Sequence, residues 1–340
     1  MNHSMLKNLR SARAARVGQG VGVASVACAL MMACGGTARA QSDLYSNGSV
    51  NPGDPGLSTG SLTGNGVAAP GGSAWSEVQE LSVLEANALG GATVSLSTGV
   101  TSFRIADDFN VGGAFGWRAK SISLFVYEPA GSASVSPASG VTVRVWTGQP
   151  GTAGAAVIFG DTLTNQMTGS SFAKLYRVFN TDGPALATVP DATRPVWRLE
   201  VSLGDVILFP GEYWVDWHVN AANASSTVFA PSVTKAGSRG VTGWNARQLN
   251  AAGSWIAIND PGKPAVAADV AQDLPFIVHG DLLTTPCGAD FDENGFVTGD
   301  DFDVFTQAFV DGVIAADFNR DGFVTGDDFD LFSDAFAAGC

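Results

Sequence analysis

The chain has 340 residues, with 32 Asp/Glu against 18 Lys/Arg and a net charge of −14. It therefore lacks the basic footprint that nucleic-acid binding requires. His-Glu-x-x-His does not occur, so the sequence carries no local signature of a zinc peptidase of that type.

Lys7, Arg10, Arg13 and Arg16 precede an apolar run from Val21 to Ala33, and Ala38-Arg39-Ala40 then offers a small-x-small site. This reads as a secretory signal over 1–40, cleaved after Ala40. The apolar run is too short for a membrane anchor. Leu30-Met31-Met32-Ala33-Cys34 also resembles a lipobox, which makes lipoprotein processing at Cys34 the second reading. The mature chain carries no stretch long and apolar enough to span a bilayer.

Residues 41–74 are rich in Gly, Ser, Asn and Pro and cannot form a core of their own. They are a lead-in, or in part a loop-rich edge of the next domain. From 75 to 283 the pattern is all-β. SISLFVYE (121–128), VTVRVWTG (141–148), VWRLEVSL (196–203), YWVDWHVN (213–220) and LPFIVHGDL (274–282) are short, β-branched and aromatic, and punctuated by Gly, Pro, Asn and Asp. Val141, Val143 and Val145 share a face, as do Trp197, Leu199, Val201 and Leu203. One amphipathic helix is a candidate, at 78–89. About 200 residues of this kind predict a single jelly-roll-like sandwich.

The segment 284–340 differs. ADFDENGFVTGDDFDVFTQAF (289–309) returns 27 residues later as ADFNRDGFVTGDDFDLFSDAF (316–336). Residues 287–340 hold 13 acids and one base, so most of the acidity belongs to this small module. Each copy matches a twelve-residue calcium loop. In the first, Asp290, Asp292 and Asn294 stand at positions 1, 3 and 5. Gly295 supplies the turn, Phe296 a backbone carbonyl, Thr298 position 9, and Asp301 closes at 12. In the second the same offsets hold Asp317, Asn319, Asp321, Gly322, Phe323, Thr325 and Asp328. Two Ca2+ ions are implied, one per loop. Position 12 is Asp in both copies, a shorter arm than the usual Glu. Phe302, Phe305 and Phe309, and then Phe329, Phe332 and Phe336, fall on one face of a helix after each loop, while no helix precedes it.

Once the signal is removed, Cys287 and Cys340 are the remaining cysteines, and they bracket the repeat. In an exported chain the pair reads as a disulfide, closing a loop of roughly 54 residues and contributing about 4 kcal/mol in the chain-entropy model.

Duplicated loop–helix calcium units of this kind resemble a dockerin domain, and the terminal Gly339-Cys340 is similar to bacterial exported proteins of the GC-type dockerin domain-anchored class. The resemblance covers about 54 residues. It implies attachment of the preceding domain to another protein, a cohesin-like or other surface or scaffold partner. It also implies partner contacts at loop positions 10 and 11, which here are Gly299-Asp300 and Gly326-Asp327. Identical residues in both copies would permit two binding orientations. FRIADDFNV (103–111) and AQDLPFIVHGDL (271–282) resemble uncharacterised exported β-sandwich domains, which implies a fold and no reaction.

Catalytic residues do not stand out. His218 and His279 lie within strand runs and read as structural. The carboxylates Asp107, Asp108, Glu128, Glu200, Asp205, Glu212 and Asp216 have no telling spacing. Trp214 and Trp217 point to opposite faces of one strand, so both cannot be in the core. The outer one reads first as a half-buried aromatic over a sheet edge, and second as an exposed indole that can stack on a sugar ring. The leading expectation is a secreted, non-catalytic sandwich held by a calcium-dependent module. A carbohydrate-binding accessory protein, with polysaccharide as partner, is the alternative, and a glycoside hydrolase comes third.

Overall fold

The computed structural model describes residues 42–50, 56–79, 89–95, 103–113, 115–179, 190–261, 268–283, 288–292, 294, 296–319 and 322–339. The expected signal (1–40), most of the 78–89 helix candidate, Gly295, Asp321 and both Cys287 and Cys340 lie outside the described residues. In chain order the strands are β1 (Ser42–Ser46), β2 (Ala74–Glu77), β3 (Ala92–Ser95), β4 (Arg104–Val111), β5 (Trp117–Tyr127), β6 (Ala138–Trp146), β7 (Val157–Gly160) and β8 (Met167–Val178). They continue with β9 (Pro195–Leu208), β10 (Gly211–Ala221), β11 (Val228–Ala230), β12 (Arg247–Leu249), β13 (Trp255–Ala257), β14 (Asn259–Asp260), β15 (Val270–Ala271) and β16 (Phe276–Leu282). Helices α1 (Gly299–Val310) and α2 (Gly326–Ala338) follow. The protein is thus mostly β-sheet with two C-terminal helices, and no described helix is long and apolar enough to cross a membrane.

Among the described residues one sheet runs β1-β16-β5-β9-β8-β2, with β11 beside β5 and β3 beside β11. A second runs β13-β12-β4-β10-β6-β7, and β14 and β15 form a small ribbon. The chain passes repeatedly from one sheet to the other: β4 and β5, β5 and β6, and β9 and β10 are neighbours in sequence but belong to different sheets. Each crossing sends the apolar half of an alternating strand to the same interior. Val141, Val143 and Val145 of β6 and Trp197, Leu199, Val201 and Leu203 of β9 meet in one apolar cluster, together with Phe109, Trp217 and Phe276.

The outer face of the larger sheet is divided. At one end Phe125, Tyr127, Leu175, Val196 and Ile277 are covered by Leu57, itself fully buried. At the other end the outward positions of the same strands are polar. The strand β9 also runs past the segment that its alternation marks. Gly204 and Asp205 both adopt left-handed backbone (φ 62° and 63°), and the β5–β9 register slips opposite this point. The strand then resumes through Val206, Ile207 and Leu208, where Ile207 turns toward the C-terminal helices.

Those helices pack through the predicted phenylalanine stripes. Phe305 and Phe332 are fully buried and stack with centroids 3.7 Å apart and planes 7° apart. Phe291, Phe302, Phe309, Phe318, Phe329 and Phe336 surround them.

Candidate functional site

The first acidic loop brings three carboxylates together. One oxygen each from Asp290, Asp292 and Asp301 lies within 4.8 Å of the others, with Asp290 and Asp301 buried and Asp292 exposed. Backbone amides hold them there. Asn294 N donates to Asp290 Oδ1 (3.0 Å) and to Asp292 Oδ1 (3.1 Å), and Phe296 N donates to Asn294 Oδ1 (2.9 Å). Asp301 accepts from Asp292 N (3.1 Å) on one oxygen and from Thr298 N (2.8 Å) on the other. Each carboxylate is pinned from outside and keeps further lone pairs. The donor chemistry is all oxygen, the set taken by a hard divalent cation.

Asp301 has a second role that sequence reading missed. It is the third residue of α1, and its bond from Thr298 N completes a capping box with Thr298 as N-cap. The shorter Asp side chain at position 12 suits this double duty, closing the loop and starting the helix. The second copy repeats the arrangement. Asp328 accepts from Asn319 N (3.0 Å) and Thr325 N (2.7 Å), and Gly322 N donates to Asp317 Oδ2 (2.8 Å). The amide donors, Asn319 N first, hold the Asp328 carboxyl below the usual carboxylate range. Asp300 and Asp327 are exposed in the first turns of α1 and α2.

The loops differ in their surroundings. The first one faces the β-rich body. Val297, Ala335 and Phe336 pack with Ala289 around Ile207 and Phe209, and Phe296 packs against the main apolar cluster. Beside this contact a cavity of about 350 Å³ is lined by Arg118, Phe159, Gly204, Asp205, Phe296 and Thr298, among others. The second loop's Phe323 is 71% exposed.

A separate constellation occupies the polar half of the larger sheet's outer face, and sequence reading did not assemble it. His279 of β16 stands opposite Asp43 of β1, and Ser123 of β5 opposite Glu200 of β9. The His279 Nδ1–Asp43 Oδ1 and His279 Nε2–Ser123 Oγ separations are both 2.7 Å. Ser123 Oγ also donates to Glu200 Oε2 (2.9 Å) and accepts from Arg198 Nη2 (2.8 Å). Asp43, Lys120, Arg198, Glu200 and His279 line a surface cavity of about 590 Å³. The connectivity Asp43–His279–Ser123 has the order of a nucleophilic triad, but the geometry denies Ser123 that role. It is fully buried, and its oxygen is surrounded by His279, Glu200 and Arg198. A nucleophile needs an open approach to the substrate, so Ser123 is a buried junction. The outward alternation of Arg198, Glu200 and Ser202 between apolar residues was readable in sequence. Which strands lie beside β9 was not.

The other candidates are structural. Nδ1 of His218 donates to Phe103 O (2.7 Å), and burial pushes its pKa down. Asp216 is fully buried between Arg104 and Arg144, and Trp146 Nε1 also donates to it. Asp107 is fully buried and accepts from Leu274 N (2.7 Å) and Asp108 N (3.0 Å). Burial and the nearby Asp273 push its pKa well up. Asp273 itself is pushed up to about 7, chiefly by burial. Trp214 and Trp217 lie on opposite faces as expected, yet both are buried, at 1% and 0% exposure. Neither indole is open to solvent, because the outer face at Trp214 is covered too. Trp146, Trp244 and Trp255 are half-buried, and the remaining tryptophans are buried.

Comparisons with protein-family models, curated proteins and solved structures return no match.

Proposed function

We propose that this is an exported attachment protein: a jelly-roll-like β-sandwich joined to a dockerin-like pair of calcium loops that binds a cohesin-like or other surface or scaffold protein. The observation that carries this reading is the convergence of the Asp290, Asp292 and Asp301 oxygens within 4.8 Å, each pinned by backbone amides. Three like charges at this spacing repel one another, and a divalent cation offsets that repulsion. Asn294, the Phe296 carbonyl and Thr298 stand at the loop positions that would complete the shell, and the second loop would take a like ion. A disulfide between Cys287 and Cys340 would tie the ends of the module. Exposed Asp300 and Asp327 are the proposed partner contacts.

The test is calorimetric titration of the intact protein with Ca2+, before and after chelation. Two sites are expected, each lost separately when Asp290 or Asp317 is replaced by Ala. A flat titration with no change in thermal stability on chelation overturns the reading. Polysaccharide binding, the alternative, loses the support of Trp214 and Trp217, because both are buried.

A further inference from the structure

The surface cavity of about 590 Å³ lies over the polar end of the larger sheet. A volume of this order suits a small organic ligand. Most such sites are apolar with a few polar groups, and this one is the reverse. Every described side chain that lines it is charged, titratable or a hydroxyl.

The charges there come in pairs. Lys120 Nζ lies 2.7 Å from Asp281 Oδ2, Arg198 Nε 2.5 Å from Glu200 Oε1, and His279 Nδ1 2.7 Å from Asp43 Oδ1. Lys120 and Arg198 each have an acid beside them, so a charged ligand would have to break a pair to bind. An apolar ligand would bury these groups without hydrogen bonds, at a cost of roughly 1–3 kcal/mol for each. What matches is a neutral molecule whose adjacent hydroxyls donate to a carboxylate and accept from the cation next to it. The pairs stay within reach of solvent, Asp43 most of all at 63% exposure.

The arrangement is held from below. Ser123 Oγ is 2.7 Å from His279 Nε2 and 2.9 Å from Glu200 Oε2, and it accepts from Arg198 Nε (3.1 Å) and Nη2 (2.8 Å). Thr168 Oγ1 donates to the Glu200 carbonyl (3.1 Å) at the side. One buried hydroxyl thus fixes three side chains of the floor, so little rotamer freedom is lost when a ligand arrives.

We infer that this face is a binding site for one saccharide unit of a neutral glycan, recognised through its hydroxyls by the Arg198–Glu200 pair, Lys120 and Asp43. It gives the sandwich a ligand of its own, on grounds other than the tryptophans and independent of the calcium loops.

The experiment is ligand-observed NMR titration of the intact protein with cellohexaose, xylohexaose and mannohexaose, and with hexagalacturonate as an acidic counterpart. At least one neutral oligomer is expected to bind with a Kd of about 1 mM or tighter, and more tightly than hexagalacturonate. Glu200→Gln breaks the ion pair with Arg198 and is expected to weaken binding roughly tenfold. Lys120→Met, at a partly exposed position, is expected to do the same and keeps the test open should Glu200→Gln fail to fold. Thermal unfolding reports whether each variant is folded. Silence of all three neutral oligomers, tighter binding of hexagalacturonate, or unchanged affinity in a folded variant overturns the site.

Discussion

Phe296 and Phe323 hold the same position in the two copies of the acidic repeat, yet Phe296 packs against the main apolar cluster while Phe323 is 71% exposed. Near-identical loops thus meet different environments, because the first one lies against the β9 bend at Gly204 and Asp205. Phe296→Ala is expected to lower unfolding stability by about 1–2 kcal/mol, less than a fully buried Phe would cost. Phe323→Ala should stay within about 0.5 kcal/mol of the parent. Urea denaturation of the two variants reads the difference, and equal losses would contradict the packing asymmetry.

Asp301 joins loop and helix, so charge and shape can be separated there. Asp301→Asn keeps an oxygen for the Thr298 amide but removes a negative charge from the cluster. Calorimetry is expected to show one Ca2+ site lost and the second retained. Thr298→Ala removes the N-cap hydroxyl, costing about 1 kcal/mol, and is expected to weaken the first site without abolishing it.

Asp273, pushed up to about 7, gives the fold a definite pH response. The folded state keeps a proton that the unfolded chain, with an ordinary Asp value near about 4, has released. Stability contributed by this group therefore falls as pH rises from about 4 to about 7 and is flat above. Asp107, also pushed up, acts in the same direction. Denaturation midpoints of the parent and of Asp273→Asn, followed across that window, should converge at low pH, with the variant gaining relative to the parent toward pH 7. A parent that gains on the variant as pH rises would refute this.

Asp216 is the shared partner of Arg104 and Arg144 on the outer face of the smaller sheet. Removing it leaves a buried guanidinium without its acid. Asp216→Ala is expected to cost about 3–5 kcal/mol, measured as loss of the folded fraction or a large fall in thermal midpoint.

Ser123 joins His279, Glu200 and Arg198 beneath the larger surface cavity. Ser123→Ala should cost about 1–3 kcal/mol, because buried donors and acceptors lose a common partner. A serine-directed phosphonate probe should not label the parent protein, and labelling at Ser123 would overturn the assignment of a purely structural junction.

The local features of this protein were legible in its sequence. Alternation along 141–145 and 197–203 identified inward faces, since side-chain direction in a strand depends only on position. The loop positions of Asp290, Asp292 and Asp301 could be read because the turn that gathers them spans twelve consecutive residues. The phenylalanine stripes were equally local. Tertiary structure alone decided the rest. Asp43 and His279 are 236 residues apart and became neighbours only through the pairing of β1 with β16. Trp214 and Trp217 could be assigned to opposite faces, but burial of an outward position depends on what covers the sheet, and both are buried. The asymmetry of Phe296 and Phe323 has the same origin: one sequence, written twice, meets two different surfaces.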